Sequence, residues 1–236
     1  MDNDLQLDPE VWLGRKLGKY EITKVLGVGE NGLVFRAHDA SMERDVAIKV
    51  LNEQPSTDEL ARFLSGAKSA GKFNHVNTVT VHEVAQEDSF CYLVMEIVSG
   101  GSANDHLEQS GAYSVGDATR MVIEASLGLA AAHQAGFVHR EVNPANLLLT
   151  EDGTVKISDF RLAKQTSSQN ARNLTLVGQV IGTPHFMSPE QCESKTVDAR
   201  SEIYSLGATY YTLLTGEHPY DDAAASIVQI MYAHCH

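Results

Sequence analysis

The residues that follow Gly27-Val28-Gly29-Glu30-Asn31-Gly32 limit the fold more than the glycines themselves do. A GxGxxG run alone fits a Rossmann turn, a loop laid over nucleotide phosphates, or a chance run of turn glycines. The Rossmann form opens a helix and places an acidic residue about 20 positions later. Here Leu33-Val34-Phe35-Arg36-Ala37 continues in strand-like residues, and Val46-Ala47-Ile48-Lys49 is a second such run that ends in a lysine. Residues 20–50 alternate β-branched side chains with glycines and predict three strands joined by turns. That pattern disfavours the Rossmann reading and suits a lysine that reaches the α- and β-phosphates of a nucleotide.

Further along, residues 57–73 have helical periodicity, with Ser56 or Thr57 as the cap. Segments 79–85 and 90–98 read as a strand hairpin, and Ser99-Gly100-Gly101 follows. The character then changes. An alanine-rich helix is expected over 115–135, and the turn Glu151-Asp152-Gly153 separates two short apolar runs, 146–150 and 154–158. Residues 165–180 are polar and aperiodic, which predicts a long loop, and 200–215 read as an apolar helix ending near Gly216. A β-rich first part therefore meets a helical second part at a hinge near 96–101.

Composition excludes several classes. The 236 residues are 43% hydrophobic and 21% charged, with a net charge of −13, so a globular core is expected and disorder is not. The acidic balance argues against a nucleic-acid-binding surface, because phosphates would be repelled. Cys91, Cys192 and Cys235 are odd in number and far apart, which argues against a disulfide framework. His234-Cys235-His236 looks metal-like but reads as a helix end. The acidic start MDNDLQLDPE has no apolar core and is not expected to be a signal peptide, and no segment reads as a membrane span. A soluble, cytoplasmic chain is expected.

Four motifs follow in order: the glycine run with Lys49; His139-Arg140-Glu141-Val142-Asn143-Pro144-Ala145-Asn146; Asp159-Phe160-Arg161; and Gly182-Thr183-Pro184 with Ser188-Pro189-Glu190. In this order and spacing the chain resembles the eukaryotic-like (Hanks-type) protein Ser/Thr kinase family in its bacterial style, from about Tyr20 onward. The resemblance implies an α+β, bilobal protein-kinase-like fold. It divides the chain into an N-terminal extension (1–19), a β-rich N-lobe (20–98) and a mainly α-helical C-lobe (99–236) that is incomplete at its end. ATP is expected in the interlobe cleft.

The family's roles fall on particular residues here. Gly27, Val28, Gly29 and Gly32 would cover the ATP phosphates, and Lys49 would bind them. Met95 would be the gatekeeper, while Glu96 and Val98 would offer backbone groups to adenine. Leu26, Val34, Ala47 and Leu148 would sandwich the ring. Asn146 and Asp159 would hold Mg2+. Glu141 occupies the catalytic-base position, and Asn143 the position of a phosphate-stabilising lysine. Residues 159–190 would form the activation loop, with Thr166, Ser167, Ser168 and Thr175 as candidate phosphosites and Arg140 as a partner for an added phosphate.

The departures from the family pattern fall at the chemistry. Glu141 replaces the family's aspartate and sets the carboxylate one methylene further out, and a displacement of ~1 Å can cost about 100-fold in rate. Asn143 brings no charge, and losing such a donor is worth about 3 kcal/mol of barrier. Gly66 stands where a glutamate would pair with Lys49, and Glu59 lies two helical turns earlier, about 10 Å away. Arg161 replaces a glycine whose backbone freedom arginine lacks. Glu202 replaces the aspartate that would hold the catalytic-loop backbone. With no arginine left to pair it, Glu190 is expected to be exposed or misfit. The expectation is a regulatory module that binds Mg-ATP and a protein partner or substrate, with phosphoryl transfer to Ser/Thr weak or absent. The alternative is an active kinase using Glu141 as base. A third reading is a truncated product with an exposed apolar face on the 200–215 helix.

Overall fold

The computed structural model describes residues 8–29, 32–51, 74–87, 90–160, 183–221 and 226–236. By internal contacts the chain divides into two units: Met1–Asn74 with Val79–Ile97, and His75–Thr78 with Val98–His236.

The first unit is built on an antiparallel sheet. Its strands are β1 (Lys16–Leu17), β2 (Tyr20–Gly29), β3 (Gly32–Asp39), β4 (Arg44–Val50), β5 (Val81–Glu87) and β6 (Phe90–Met95), in the spatial order β1-β2-β3-β4-β6-β5. The three strands expected over 20–50 are β2, β3 and β4. The hairpin expected at 79–85 and 90–98 is β5 and β6, with β6 ending at Met95. Alternation along β4 explains the layering. Val46, Ile48 and Val50 turn one way and join a core of Tyr20, Ile22, Phe35, Tyr92 and Val94. Trp12 closes this core from a one-turn 3-10 helix, Pro9–Trp12, capped by the Asp8 carboxylate. Its ring meets Phe90 edge-on at 4.9 Å.

Only one glycine of the 27–32 run is demanded by the backbone. Gly32 has φ +143°, and a Cβ there would lie 2.1 Å from the Val50 carbonyl oxygen. Among the described residues, a Cβ at Gly27 would meet nothing within 4 Å.

The second unit is mainly helical, with α1 (Ala103–Ser110), α2 (Val115–Gln134), α3 (Pro189–Cys192), α4 (Ala199–Thr215) and α5 (Ile227–Cys235). Side chains cap the starts of these helices: Ser102 and Asp105 form a capping box on α1, and Asp198 caps α4. Gly216 adopts the left-handed conformation that stops α4, as its place after the apolar run predicts. The two short apolar runs pair as a hairpin, β7 (Leu147–Leu149) and β8 (Val155–Ile157). Met121, Ala125 and Leu129 of α2 form a stripe at helical spacing, packed with Leu206 and Leu213 of α4 and with Leu147, Val155 and Ile157.

Residues 75–78 are tied into this second unit. Asn77 Nδ2 donates to the Val155 carbonyl at 2.9 Å, and Ile157 N donates to the Asn77 carbonyl at 3.0 Å. A Cβ at Gly128 would sit 2.5 Å from that same Asn77 carbonyl oxygen, so α2 needs glycine there. The His234-Cys235-His236 run ends α5, as read from the sequence. No described helix is long and apolar enough to cross a membrane. The helix expected over 57–73 and the loop over 165–180 lie outside the described residues.

Candidate functional site

In the first unit, strand register gathers several of the expected nucleotide groups onto one face. Gly27 pairs with Val34, Val34 with Lys49, and Lys49 with Leu93; Ala47 pairs with Met95. Directly opposed residues share a face of the sheet, and so do residues two apart. Val34, Ala47, Lys49 and Met95 therefore lie on the face opposite Ile48 and Val50. Ala47 and Met95 are buried, Val34 and Lys49 are half-buried, and Leu26 and Val28 are exposed. Glu96 is anchored twice to Thr80: its N–H donates to the Thr80 carbonyl at 3.0 Å, and its carboxylate accepts the Thr80 N–H at 2.7 Å. Any backbone group that Glu96 offers a ligand is thus its carbonyl.

In the second unit the 139–146 loop is held by groups from four directions. His139 is fully buried; its Nε2 donates to the Ser158 carbonyl at 2.6 Å, and its Nδ1 accepts the Glu141 N–H at 3.2 Å. Those partners require a neutral ring, and burial pushes its pKa down in the same direction. Phe160 meets the His139 ring edge-on at 4.7 Å. Arg140 has φ +70° and Asp159 φ +61°, conformations that side chains resist. Arg140 is pinned there on both sides. Its N–H donates to Glu202 Oε1 at 2.8 Å, and its carbonyl accepts from Gln191 Nε2 at 2.8 Å.

Glu202, on the first turn of α4, is 2% exposed. Its second oxygen faces His133 Nε2, so both lone-pair sides of a buried carboxylate are served. The longer side chain at this position does reach the loop backbone. His133 had not been singled out in the sequence, although it continues the Met121–Ala125–Leu129 stripe by one further i+4 step.

The asparagines of the loop act first on the loop itself. Asn143, 5% exposed, caps the short 3-10 turn Pro144–Asn146 by accepting the Asn146 N–H on Oδ1 at 3.1 Å. Its Nδ2 donates to the Glu141 carbonyl at 3.3 Å. Asn146 Nδ2 donates to the same carbonyl at 2.7 Å. That bond orients the Asn146 amide and leaves its oxygen as the end suited to a hard cation. The Asn146 carbonyl accepts the Ser158 N–H at 2.9 Å, which ties the loop to the residue before Asp159. Leu148 is half-buried on β7. Val98 is the first residue of the second unit after the sheet ends.

One expectation is corrected. Glu190 is neither exposed nor misfit: it is half-buried at the start of α3, and its carboxylate accepts the Ser201 hydroxyl from α4. The partner is a serine eleven positions further on, bound by a hydrogen bond. Glu30, Asn31, Glu59, Gly66, Arg161, Thr166, Ser167, Ser168, Thr175 and Gly182 lie outside the described residues.

A family model described as protein kinase domain matches residues 20–235. The serine/threonine-protein kinase PrkC of Bacillus subtilis is 32% identical over 223 residues, 93% of this chain and 34% of the relative. The serine/threonine-protein kinase PknB of Mycolicibacterium smegmatis is 35% identical over 222 residues, 92% of this chain and 35% of the relative. The serine/threonine-protein kinase pkn3 of Myxococcus xanthus is 35% identical over 227 residues, 92% of this chain and 42% of the relative. The chain spans about a third of the length of the first two and 42% of the third.

Proposed function

Because the chain belongs to the protein kinase family, with its α+β fold of a β-rich first lobe and a mainly helical second, we propose that it binds Mg-ATP and transfers the γ-phosphoryl group weakly or not at all. Lys49 and the glycine strand would take the phosphates. Val34, Ala47, Leu26 and Leu148 would pack on adenine, with Met95, Glu96 and Val98 along its edge. Asn146 and Asp159 present an amide oxygen and a carboxylate, hard donors of the kind magnesium takes. The bound ion would neutralise charge on the phosphates. The open space above Gly27 supports close approach of a phosphate, because no packing demand among the described residues explains a glycine there.

Asn143 carries the reading of weak transfer. Its side chain is buried and hydrogen-bonded inside the loop at both ends, so it adds no charge where the phosphoryl group would pass. The longer Glu141, and a glycine at position 66 where the family has a glutamate, act in the same direction. If three such changes cost about 2 kcal/mol each and add, the rate falls by more than about 10⁴. The protein would then act by binding, with nucleotide favouring one of its conformations.

A second reading has its own support. The Glu202–Arg140 and His139–Ser158 bonds hold the loop that carries Glu141, so a carboxylate stands on an ordered segment at the base position. An active enzyme would act on Ser or Thr, as the names of the relatives state for those proteins. The experiment is intact mass after incubation with Mg-ATP and an acceptor protein, with Asp159→Ala alongside, and thermal melts with and without Mg-ATP. A melting rise without phosphoryl mass gain is expected. Mass gain in the parent that disappears in Asp159→Ala would establish the active reading, and the absence of any Mg-ATP-dependent melting shift would remove both.

A further inference from the structure

Away from the residues assigned to nucleotide, the second unit holds a cluster of nitrogen and oxygen donors that the proposed function does not use. His185 lies in the 3-10 turn Pro184–Phe186, while His218 and Asp221 follow the Gly216 stop of α4. The Asp221 carboxylate faces both rings, with Oδ1 3.3 Å from His185 Nδ1 and Oδ2 3.2 Å from His218 Nδ1. The ring centroids are 4.5 Å apart. One donor atom from each of the three residues lies within 4.8 Å of the other two.

We propose that His185, His218 and Asp221 form a binding site for one divalent transition-metal ion of the zinc class. The spacing fits. Bonds of ~2.0–2.1 Å in a tetrahedral zinc site put neighbouring ligand atoms about 3.3 Å apart. Two imidazoles and a carboxylate are the ligand types zinc takes when a fourth position is left for water.

The bonding pattern leaves a donor atom for a cation. His185 Nδ1 is buried and has no aligned hydrogen-bond partner among the described residues, although a carboxylate oxygen lies 3.3 Å away. In the tautomer that leaves its lone pair on Nδ1, this nitrogen and the nearby carboxylate oxygen are two donors for one cation. Burial, and then the neighbouring His218, push His185 toward its neutral form, the form that binds metals.

The surroundings fix the rings. Phe186 meets His218 edge-on at 5.5 Å. His234 of the nearby helix α5, whose Nδ1 is engaged by the Tyr204 hydroxyl at 2.8 Å, is not among the donors that lie within 4.8 Å of one another. A bound ion would tie the turn ahead of Ser188-Pro189-Glu190 to the segment after α4, two stretches more than thirty positions apart in sequence. The site is independent of whether the chain binds or turns over ATP.

The test titrates zinc chloride alone into the full chain against a chromophoric chelator, and records the absorption of the cobalt-substituted protein. One equivalent of zinc is expected, with a tetrahedral cobalt spectrum that lacks thiolate charge transfer. H218Q and D221N should each weaken binding at least about tenfold. Both side chains are partly exposed, at 38% and 45%, so both variants should fold as the parent does. Zinc should raise the melting temperature of the parent and of a C192S/C235S variant, but not of D221N. The proposal is overturned by absence of stoichiometric zinc, by binding that survives in both H218Q and D221N, or by a thiolate band that places the ion on Cys192 or Cys235.

Discussion

Replacing Glu202 tests the reading that one buried carboxylate holds the 139–146 loop. In Glu202→Ala, the Arg140 N–H loses its acceptor at a position 2% exposed. An unmade buried hydrogen bond costs about 1–3 kcal/mol. His133 also loses its carboxylate, and Arg140, at φ +70°, loses one of the two bonds described for its backbone and keeps the Gln191 bond to its carbonyl. Removing one member of such a buried set typically costs about 3–5 kcal/mol in total. The midpoint should fall by about 2–4 °C for each kcal/mol. Glu202→Gln keeps an oxygen for the Arg140 N–H and should recover most of the loss. A double-mutant cycle of Glu202→Ala with His133→Ala, read by denaturant unfolding, should give a coupling of about 0.5–3 kcal/mol. If Glu202→Ala costs under about 1 kcal/mol and the cycle shows no coupling, the loop is held by other groups and the reasoning fails.

Two further predictions come from the sheet. Gly32→Ala should be strongly destabilising in denaturant unfolding, because its Cβ would strike the Val50 carbonyl at a positive φ, whereas Gly27→Ala should melt within about 0.5 kcal/mol of the parent and weaken only the Mg-ATP-induced shift. Equal stability losses in the two variants would contradict the division between a structural and a ligand-facing glycine. Asp39 is buried; the Ser41 hydroxyl and Lys19, 3.1 Å away, hold its carboxyl down at about 2, below an ordinary value of 3.8. A folded-state pKa lower than the unfolded one contributes stability above about pH 4 that is lost as pH falls toward 2. An acid titration of stability should therefore be shallower over that window in Asp39→Asn than in the parent, and identical slopes would refute the assignment.

The elements legible in the sequence are those whose signal is local. Alternation along 44–50 and the strand-like residues after Gly32 announce β4 and β3, and the apolar run over 200–215 with the glycine at 216 marks α4, because period and termination act over a few neighbouring residues. The motif residues were found the same way, by type and spacing along short stretches. The beginning of the sheet was not: Trp12 and β1 precede the recognisable segment, and only the core they close with Phe35 and Phe90 explains them.

The site divides along the same line. Sequence by itself determined which residues stand at the family's motif positions and which depart from its pattern, since Lys49, Glu141, Asn143, Asn146 and Asp159 are matters of identity and order. What those departures do was decided by tertiary structure. Glu190 looked unpartnered until α4 brought the Ser201 hydroxyl to it. Glu202 looked like an enlarged aspartate until the fold buried it between Arg140 and His133, residues 62 and 69 positions away. Asn143 looked like a weakened phosphate ligand until burial turned both ends of its amide into the loop. The physical reason is that hydrogen-bond partners and desolvation are set by what packs nearby, and chain folding joins positions whose separation in sequence carries no signal.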